Sequence, residues 1–166
     1  MIRPERADDR PAILDVHRAA FGGDDVPRLV QELWESSTYV PGLSFVAEEG
    51  GRVVGHVMNT WCHVEESGVP VLQLSPLGVL PEFQGRGHGS TLVRTSLDAV
   101  RTLGEPLLLV EGSPKYYGRF GFVRADELGL LPPPETHYDW AFQVAILDPD
   151  AELPQGRVVY SAPFRH

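Results

Sequence analysis

The segment Leu77–Ser90, with the sequence LGVLPEFQGRGHGS, decides how the chain is interpreted. It reads as the end of an apolar strand, a glycine-rich turn and the start of a helix. Glycines at 85, 87 and 89 let the backbone approach a ligand closely. Free amides at the start of the helix point toward an anion that the helix dipole favours. The segment therefore predicts a site for a phosphate-bearing ligand.

The flanking residues supply the rest of a βαβ unit. The run Val71–Val79 is apolar and strand-like, and Ser90–Leu103 repeats apolar residues at helical spacing. Gly104 and Pro106 are typical of a helix end, and a second buried strand is predicted at Leu107–Val110.

Two other phosphate-binding motifs use glycines in a similar way. A P-loop requires Gly-Lys-Ser/Thr, so that the lysine contacts the outer phosphates, and the sequence contains no such triplet. The dinucleotide fingerprint is approximated by Gly85, Gly87 and Ser90, with Glu111 as a candidate ribose partner. The same glycines are also compatible with a tight turn that binds nothing.

The remaining elements follow from periodicity. Asp8 and Asp9 precede a predicted helix that ends at Phe21, and a second helix from Asp25 carries a stripe of predicted core residues: Val26, Leu29, Val30 and Leu33. A hairpin is predicted from Leu43–Glu49 and Arg52–Val64, with a bulge at Gly55. Further strands are predicted at Ala141–Leu147 and Gly156–Tyr160.

A second motif follows the second strand of the βαβ unit: Pro114-Lys115-Tyr116-Tyr117-Gly118-Arg119-Phe120-Gly121-Phe122. Together with Leu77–Ser90 it resembles the signature of GNAT N-acetyltransferases, in particular a bacterial subgroup with this Pro-x-Tyr-Tyr-x-Arg-Phe-Gly-Phe ending. The resemblance covers Val71 to Val123. It implies an α/β fold with a mixed, strongly bent sheet of about six to seven strands and helices on both faces.

The resemblance also implies acetyl-CoA as cosubstrate. Leu77, Gly78 and Val79 would pair with the pantetheine arm like an added strand, and the Val79 amide would face the thioester oxygen. Tyr117 corresponds to the tyrosine that, in many members, protonates the departing thiolate. The pyrophosphate would be bound by the glycine loop: Gln84, Gly85, Arg86, Gly87, His88, Gly89 and Ser90.

Acetyl transfer to an amine also needs a group that accepts the amine proton. The strand position where many members carry glutamate holds Gln73 and Ser75 here, so a water-mediated proton transfer is expected. Glu111 is the preferred candidate base. Three weaker candidates are His56, His63 and Glu65. Direct attack is expected, without a covalent relay through Cys62.

The acceptor pocket of the family is framed by the loop Phe21–Asp25 and a late loop near Leu130–Trp140. Acidic residues there suit a cationic amine: Asp24, Asp25, Glu135 and Asp139. Three aromatic residues are candidate pocket walls: Trp61, Tyr138 and Trp140. The predicted function is acetyl transfer to a primary amine of a small molecule or protein. The alternative is a non-catalytic acetyl-CoA sensor or partner-binding module.

Composition bounds these predictions. A chain of 166 residues suits one domain, spanning 1–166. A net charge of −9 argues against a nucleic-acid partner. The single cysteine excludes an intramolecular disulfide and a zinc cluster, so no metal is expected. The chain has no signal-peptide pattern or run long enough to span a membrane, which predicts a cytoplasmic protein with no membrane partner. A homodimer is expected by analogy with the family.

Overall fold

The computed structural model describes residues 1–165. Within that range the chain forms nine strands: β1 (Ile2–Pro4), β2 (Tyr39–Glu49), β3 (Arg52–Val64), β4 (Pro70–Val79), β5 (Leu107–Glu111), β6 (Val123–Arg124), β7 (Leu130–Leu131), β8 (Phe142–Ile146) and β9 (Gly156–Val159). It also forms four α-helices: α1 (Arg10–Phe21), α2 (Asp25–Trp34), α3 (His88–Thr102) and α4 (Pro114–Tyr117).

The main sheet has the strand order β1-β2-β3-β4-β5-β8-β6. Neighbours along this order are antiparallel except β4 and β5, which are parallel. In addition, β9 pairs with the end of β3 and with β7. The predicted mixed α/β fold is confirmed. The nine described strands outnumber the six to seven that the family resemblance implied, and two of them, β6 and β7, have only two residues each.

Helices cover both faces of the sheet, as predicted. On one face α1 and α2 pack through Ile13, Val30 and Leu33. On the other face α3 packs through Leu92 and Val93. Burial of these apolar side chains between helix and sheet supplies the main driving force for folding.

The prediction that four residues of α2 belong to the core is only half right. Val30 and Leu33 are fully buried, whereas Val26 and Leu29 are partly buried. The latter two face a cavity beside the end of β4 instead of a closed part of the sheet.

The predicted bulge at Gly55 is confirmed. Ala47 pairs with Gly55 and Glu48 pairs with Val53, which leaves Val54 as the extra residue of β3. A side chain at Gly55 would be crowded, because its Cβ would lie 3.2 Å from a methyl carbon of Leu92.

A second bulge, not predicted from the sequence, interrupts β4. Asn59 pairs with Leu74 and Val57 pairs with Leu77, so that β4 has one residue more than β3 and bulges at Ser75 and Pro76. Before the bulge β4 pairs with β5; after it β4 pairs with β3 alone. The two parallel strands therefore separate beyond Leu74, and one edge of Leu77–Val79 borders an opening.

No helix among residues 1–165 is both long and apolar enough to cross a membrane.

Candidate active site

The glycine loop between β4 and α3 forms an amide-lined turn. Gly85 and Gly87 have φ angles of +78° and +86°, which residues other than glycine rarely adopt. The first hydrogen bond within α3 runs from the Thr91 amide to the Gly87 carbonyl, at 3.0 Å. The four amides before Thr91 consequently have no helical partner and are directed at the space before the helix.

A cavity of about 490 Å³ lies in front of these amides; we call it the glycine-loop cavity. It is lined by predicted site residues at Leu77, Gly78, Val79, Gln84, Gly85, Gly87, His88, Gly89 and Ser90. Arg86 is the one predicted cofactor residue that does not line it. Its guanidinium instead donates to Glu49 Oε1 at 2.6 Å and lies over the Phe83 ring.

Three further residues, not predicted to belong to the site, also line the glycine-loop cavity: Phe83, Tyr116 and Arg119. The Arg119 guanidinium donates to Ser90 Oγ at 3.1 Å and stacks on Tyr116. This places a permanent cation beside the free amides of α3, an arrangement suited to a phosphate. Arg119 could have been predicted as a phosphate-binding residue from its place in the Pro-x-Tyr-Tyr-x-Arg signature.

The backbone amide and carbonyl groups at the end of β4 point alternately toward β3 and toward the opening between β4 and β5. The Leu80 amide donates to the Val54 carbonyl of β3 at 2.8 Å. Because successive amides of a strand point to opposite sides, the Val79 amide points into the opening. The Val79 carbonyl accepts a hydrogen bond from Gln84 Nε2 at 3.0 Å, so Gln84 braces the strand end with its side chain. By the same alternation Gly78 faces β3, and Leu77 and Val79 present their backbone groups to the opening.

Gly78 has a steric role on the opposite face. A Cβ at this position would lie 2.8 Å from His17 Nδ1 and 3.4 Å from a ring carbon of Phe21. Glycine therefore lets α1 pack directly on the strand that borders the opening.

Tyr117 lines a second cavity, of about 250 Å³, beside the point where β4 and β5 separate; we call it the Tyr117 cavity. Most of its walls are apolar: Phe21, Val26, Leu29, Leu74, Pro76 and Leu77. The Tyr117 ring packs edge-on against Tyr116 and Phe122, and a Cβ at Gly112 would lie 2.6 Å from one of its carbons. Burial raises the pKa of the Tyr117 phenol to about 12, with a smaller contribution from Tyr116, so the hydroxyl keeps its proton at neutral pH.

Glu111 lines the same cavity from the end of β5. Its Oε1 atom accepts hydrogen bonds from the Tyr160 hydroxyl at 2.7 Å and from Thr136 Oγ1 at 2.9 Å. The carboxylate is therefore held in one orientation, even though the residue as a whole is exposed. The structure thus brings together the two predicted catalytic residues, Tyr117 and Glu111.

The weaker base candidates do not line this cavity. His56 is fully buried between β3 and α1. His63 pairs with Pro70 at the opposite end of β4 from Val79, and Glu65 follows it there.

Cys62 is also unsuited to a covalent relay. It is 3% exposed, and burial raises the pKa of its thiol to about 12. Thiolate formation is therefore disfavoured at neutral pH.

Of the acidic loop residues, only Glu135 lines a cavity near Glu111. The Asp24 carboxylate is instead bound by Arg18, with an N···O distance of 2.9 Å, and Asp25 lies 3.6 Å from Arg28. Asp139 is exposed and lines none of the cavities described here.

The three predicted aromatic walls are also placed elsewhere. Tyr138 and Trp140 stack on each other at the surface, and Trp61 packs against the core. Phe21 is the aromatic residue of the first loop that lines the Tyr117 cavity. Within residues 1–165 no group of histidine, cysteine or carboxylate side chains is arranged to hold a metal ion.

Known proteins share the sequence pattern and the fold of this chain. Residues 1–125 match the family model for the GNAT acetyltransferase domain. The chain is 36% identical over 135 residues to the uncharacterized N-acetyltransferase YjhQ of Escherichia coli K12, which covers 78% of this chain and 75% of that protein. The chain belongs to the GNAT N-acetyltransferase family.

Solved GNAT structures agree over nearly the whole length. The E. coli GNAT N-acetyltransferase YhbS, in complex with CoA, superposes with a TM-score of 0.91 at 30% identity and covers 100% of this chain and 92% of that one. A GNAT acetyltransferase from Brucella melitensis, in complex with acetyl-CoA, gives a TM-score of 0.80 at 32% identity over 99% and 97% of the two chains. The predicted family, fold class, acyltransferase class and acetyl-CoA cosubstrate are confirmed at the level of the family.

Proposed function

We propose that this GNAT protein transfers the acetyl group of acetyl-CoA directly to a primary amine, with Tyr117 as general acid and Glu111 as general base. One observation carries the proposal. A protonated phenol and an oriented carboxylate line one small cavity, and that cavity shares Leu77 with the glycine-loop cavity, which Val79 lines.

The glycine-loop cavity suits the acetyl donor. Its amides and Arg119 provide donors for a pyrophosphate, and the exposed strand edge at Leu77 and Val79 can pair with the amide-bearing pantetheine arm. Such pairing would fix the thioester beside the Val79 amide, which can then stabilise negative charge on the carbonyl oxygen.

The proposed reaction is a direct attack of the amine on the thioester, with two proton transfers. The amine nitrogen bonds to the thioester carbon while the carbon–sulfur bond breaks. The departing thiolate takes the Tyr117 proton, and the proton lost by the amine passes to the Glu111 carboxylate, directly or through one water. Proton exchange with solvent then restores both groups.

The alternative of a non-catalytic sensor keeps the donor site but requires neither an acid nor a base. The presence of both Tyr117 and Glu111 on the wall of the Tyr117 cavity favours the enzyme. A homodimer and a protein acceptor stay predictions.

Two linked measurements test the proposal. The thermal midpoint is recorded with acetyl-CoA and, separately, with a nicotinamide dinucleotide; a ligand at a hundred times its dissociation constant stabilises the folded state by about 2.7 kcal/mol. Thiol release is then followed with a panel of primary amines. Stabilisation by acetyl-CoA with amine-dependent thiol release supports the enzyme. Stabilisation without turnover for any amine supports the sensor, and stabilisation by the dinucleotide alone contradicts both.

A further inference from the structure

A third cavity, of about 270 Å³, adjoins the Tyr117 cavity; we call it the Glu135 cavity. Its lining is polar on most sides: Gln73, Ser75, Glu111, Glu135, Tyr160 and Phe164. Ser75 and Glu111 line both cavities, so the two spaces meet at these residues. A molecule whose reacting amine lies beside Tyr117 can therefore extend past Glu111 into the Glu135 cavity.

The Glu135 cavity has an uncompensated negative charge. It is lined by two carboxylates, Glu111 and Glu135, and no lysine or arginine of the described chain lines it or the Tyr117 cavity. The Oε2 atom of Glu135 is buried and makes no hydrogen bond. Because a buried carboxylate oxygen without a partner is costly, a ligand that donates hydrogen bonds and carries positive charge is favoured there.

Gln73 provides an independent sign of a ligand. It is 2% exposed, it lines the Glu135 cavity from β4, and its Nε2 atom has no hydrogen-bond partner. Most buried polar atoms in native proteins are satisfied, so an unpartnered amide on a cavity wall indicates that a polar group of a bound molecule completes it.

The contrast with the neighbouring cavity defines the shape of the acceptor. The Tyr117 cavity is walled by six apolar side chains. The Glu135 cavity has an amide, a hydroxyl, a phenol and two carboxylates on its wall. An acceptor with a short alkyl segment between two polar ends matches this sequence of environments.

We propose that the Glu135 cavity binds a second cationic group of the acceptor, so that the enzyme acetylates diamines in preference to monoamines. Glu135 binds the distal ammonium group, and Gln73 binds an oxygen beside it, from a hydroxyl of the acceptor or from a water that solvates the cation. The inference rests on the proposed function, since it assumes that the reacting amine lies beside Tyr117.

Three acceptors that differ only in the distal group test the inference: pentylamine, 5-amino-1-pentanol and 1,5-diaminopentane. Shorter and longer members of each series set the spacing between the two cavities. Steady-state thiol release gives kcat/KM for each. The wild type is expected to prefer the best diamine over its monoamine by about 10- to 100-fold, the range typical of one charge-assisted hydrogen bond.

Two variants of Glu135 test whether the preference for diamines depends on the Glu135 cavity. Glu135→Gln should remove most of the preference, because it should raise KM for the diamine far more than KM for pentylamine. Glu135→Lys should reverse it. Glu127→Gln, an exposed carboxylate in the preceding turn that lines neither cavity, serves as the matched control and should leave the preference intact.

Calorimetry separates failure of the inference from failure of the proposed function. Binding of 1,5-diaminopentane is measured to the CoA-saturated protein and to its Glu135→Gln variant. Equal kcat/KM for the three acceptors overturns the inference and leaves the proposed function standing. If no amine reacts, the proposed function fails; diamine binding that Glu135→Gln abolishes still supports the cation site, and absence of binding overturns it.

Discussion

His17 Nε2 and His56 Nδ1 lie 2.8 Å apart in the interior between α1 and the sheet. The other ring nitrogen of His56 lies 3.0 Å from Glu5 Oε1. A carboxylate accepts hydrogen bonds only, so His56 Nε2 must carry a proton and donate it. When both rings are neutral, His56 Nδ1 carries no proton and accepts a hydrogen bond from His17 Nε2. His17 Nδ1 is then also unprotonated, and it lies next to Gly78 without a hydrogen-bond partner.

This buried pair predicts a pH-dependent stability. Burial, together with His56, lowers the pKa of His17 well below its usual value, so the folded protein keeps His17 neutral. Below about pH 6.5 the unfolded chain binds a proton that the folded chain excludes. Stability is therefore complete above that pH and is lost as the pH falls. One such proton changes stability by about 1.4 kcal/mol per pH unit, which lowers the thermal midpoint by about 3–5 °C per pH unit in a chain of this size.

The measurement is the thermal midpoint between pH 7 and pH 5. This window lies above the acidic range in which Glu5 and Asp9 take up protons. Hydrogen bonds from His56 and Arg3 lower the pKa of these two carboxyls despite their burial. His17→Gln should lower the midpoint at pH 7 and flatten its pH dependence. His63→Gln, at an exposed histidine, is the control. Equal slopes in both variants and the wild type would contradict the assignment.

Arg119 and Arg94 form a matched pair for the donor site. Both guanidinium groups lie over the Phe120 ring, at 5.0 Å and 5.1 Å from its centre, but only Arg119 lines the glycine-loop cavity. Arg119→Gln should weaken acetyl-CoA binding about tenfold, because a charge-assisted hydrogen bond to a phosphate is lost. Arg94→Gln should leave the affinity unchanged.

Titration of both variants at two salt concentrations checks the electrostatic origin. The difference between Arg119→Gln and the wild type should shrink as salt rises, since screening weakens an exposed cation–phosphate contact. An equal loss of affinity in Arg94→Gln would mean that both arginines act only through the packing of Phe120.

The sequence predicted the geometry of the glycine loop because the signals for it are local. A glycine loop between a strand and a helix defines backbone geometry over a few residues, and Gly85, Gly87 and the amides of α3 lie as that pattern requires. The same holds for β3, whose limits and Gly55 bulge were predicted.

The proposed acceptor side could not be predicted in the same way, because it is assembled from distant parts of the chain. The hydrogen bond between Tyr160 and Glu111 joins residues from β5 and from just beyond β9, and His17 meets His56 only after α1 packs on the sheet. Loop charge suggested four acidic residues equally, namely Asp24, Asp25, Glu135 and Asp139, and only packing places Glu135 on the wall of a cavity that Glu111 also lines. Such pairings depend on tertiary contacts that no local pattern encodes.

Tyr117→Phe tests the proposed acid. Loss of the hydroxyl should lower kcat by about 100-fold or more, as is usual when a general acid is removed. Affinity for acetyl-CoA should change little, because Tyr117 lines the Tyr117 cavity and not the glycine-loop cavity. Since the pKa of the phenol is raised to about 12, the wild-type rate should show no loss from its ionisation up to about pH 10. Tyr138→Phe, at an exposed tyrosine, is the control. Unchanged kcat in Tyr117→Phe would show that another group protonates the thiolate.

Glu111→Gln tests the proposed base with little disturbance of geometry. The amide oxygen of glutamine can still accept from Tyr160 and Thr136, so the variant loses the negative charge and keeps the contacts that orient the side chain. We expect kcat/KM near neutral pH to fall about 100-fold, since a general base contributes on the order of 10²–10⁴ in rate.

The pH dependence separates a base from a structural role for Glu111. An alkylamine has a pKa near that of lysine, about 10.4, so its neutral form becomes abundant as the pH rises and less help from a base is needed. The ratio of wild-type to Glu111→Gln activity should therefore shrink between pH 7 and pH 9.5. Tyr160→Phe keeps the carboxylate but removes the hydroxyl that orients it, and its loss of activity should be smaller at every pH. A ratio that stays constant with pH would assign Glu111 to acceptor binding and leave water alone to receive the amine proton.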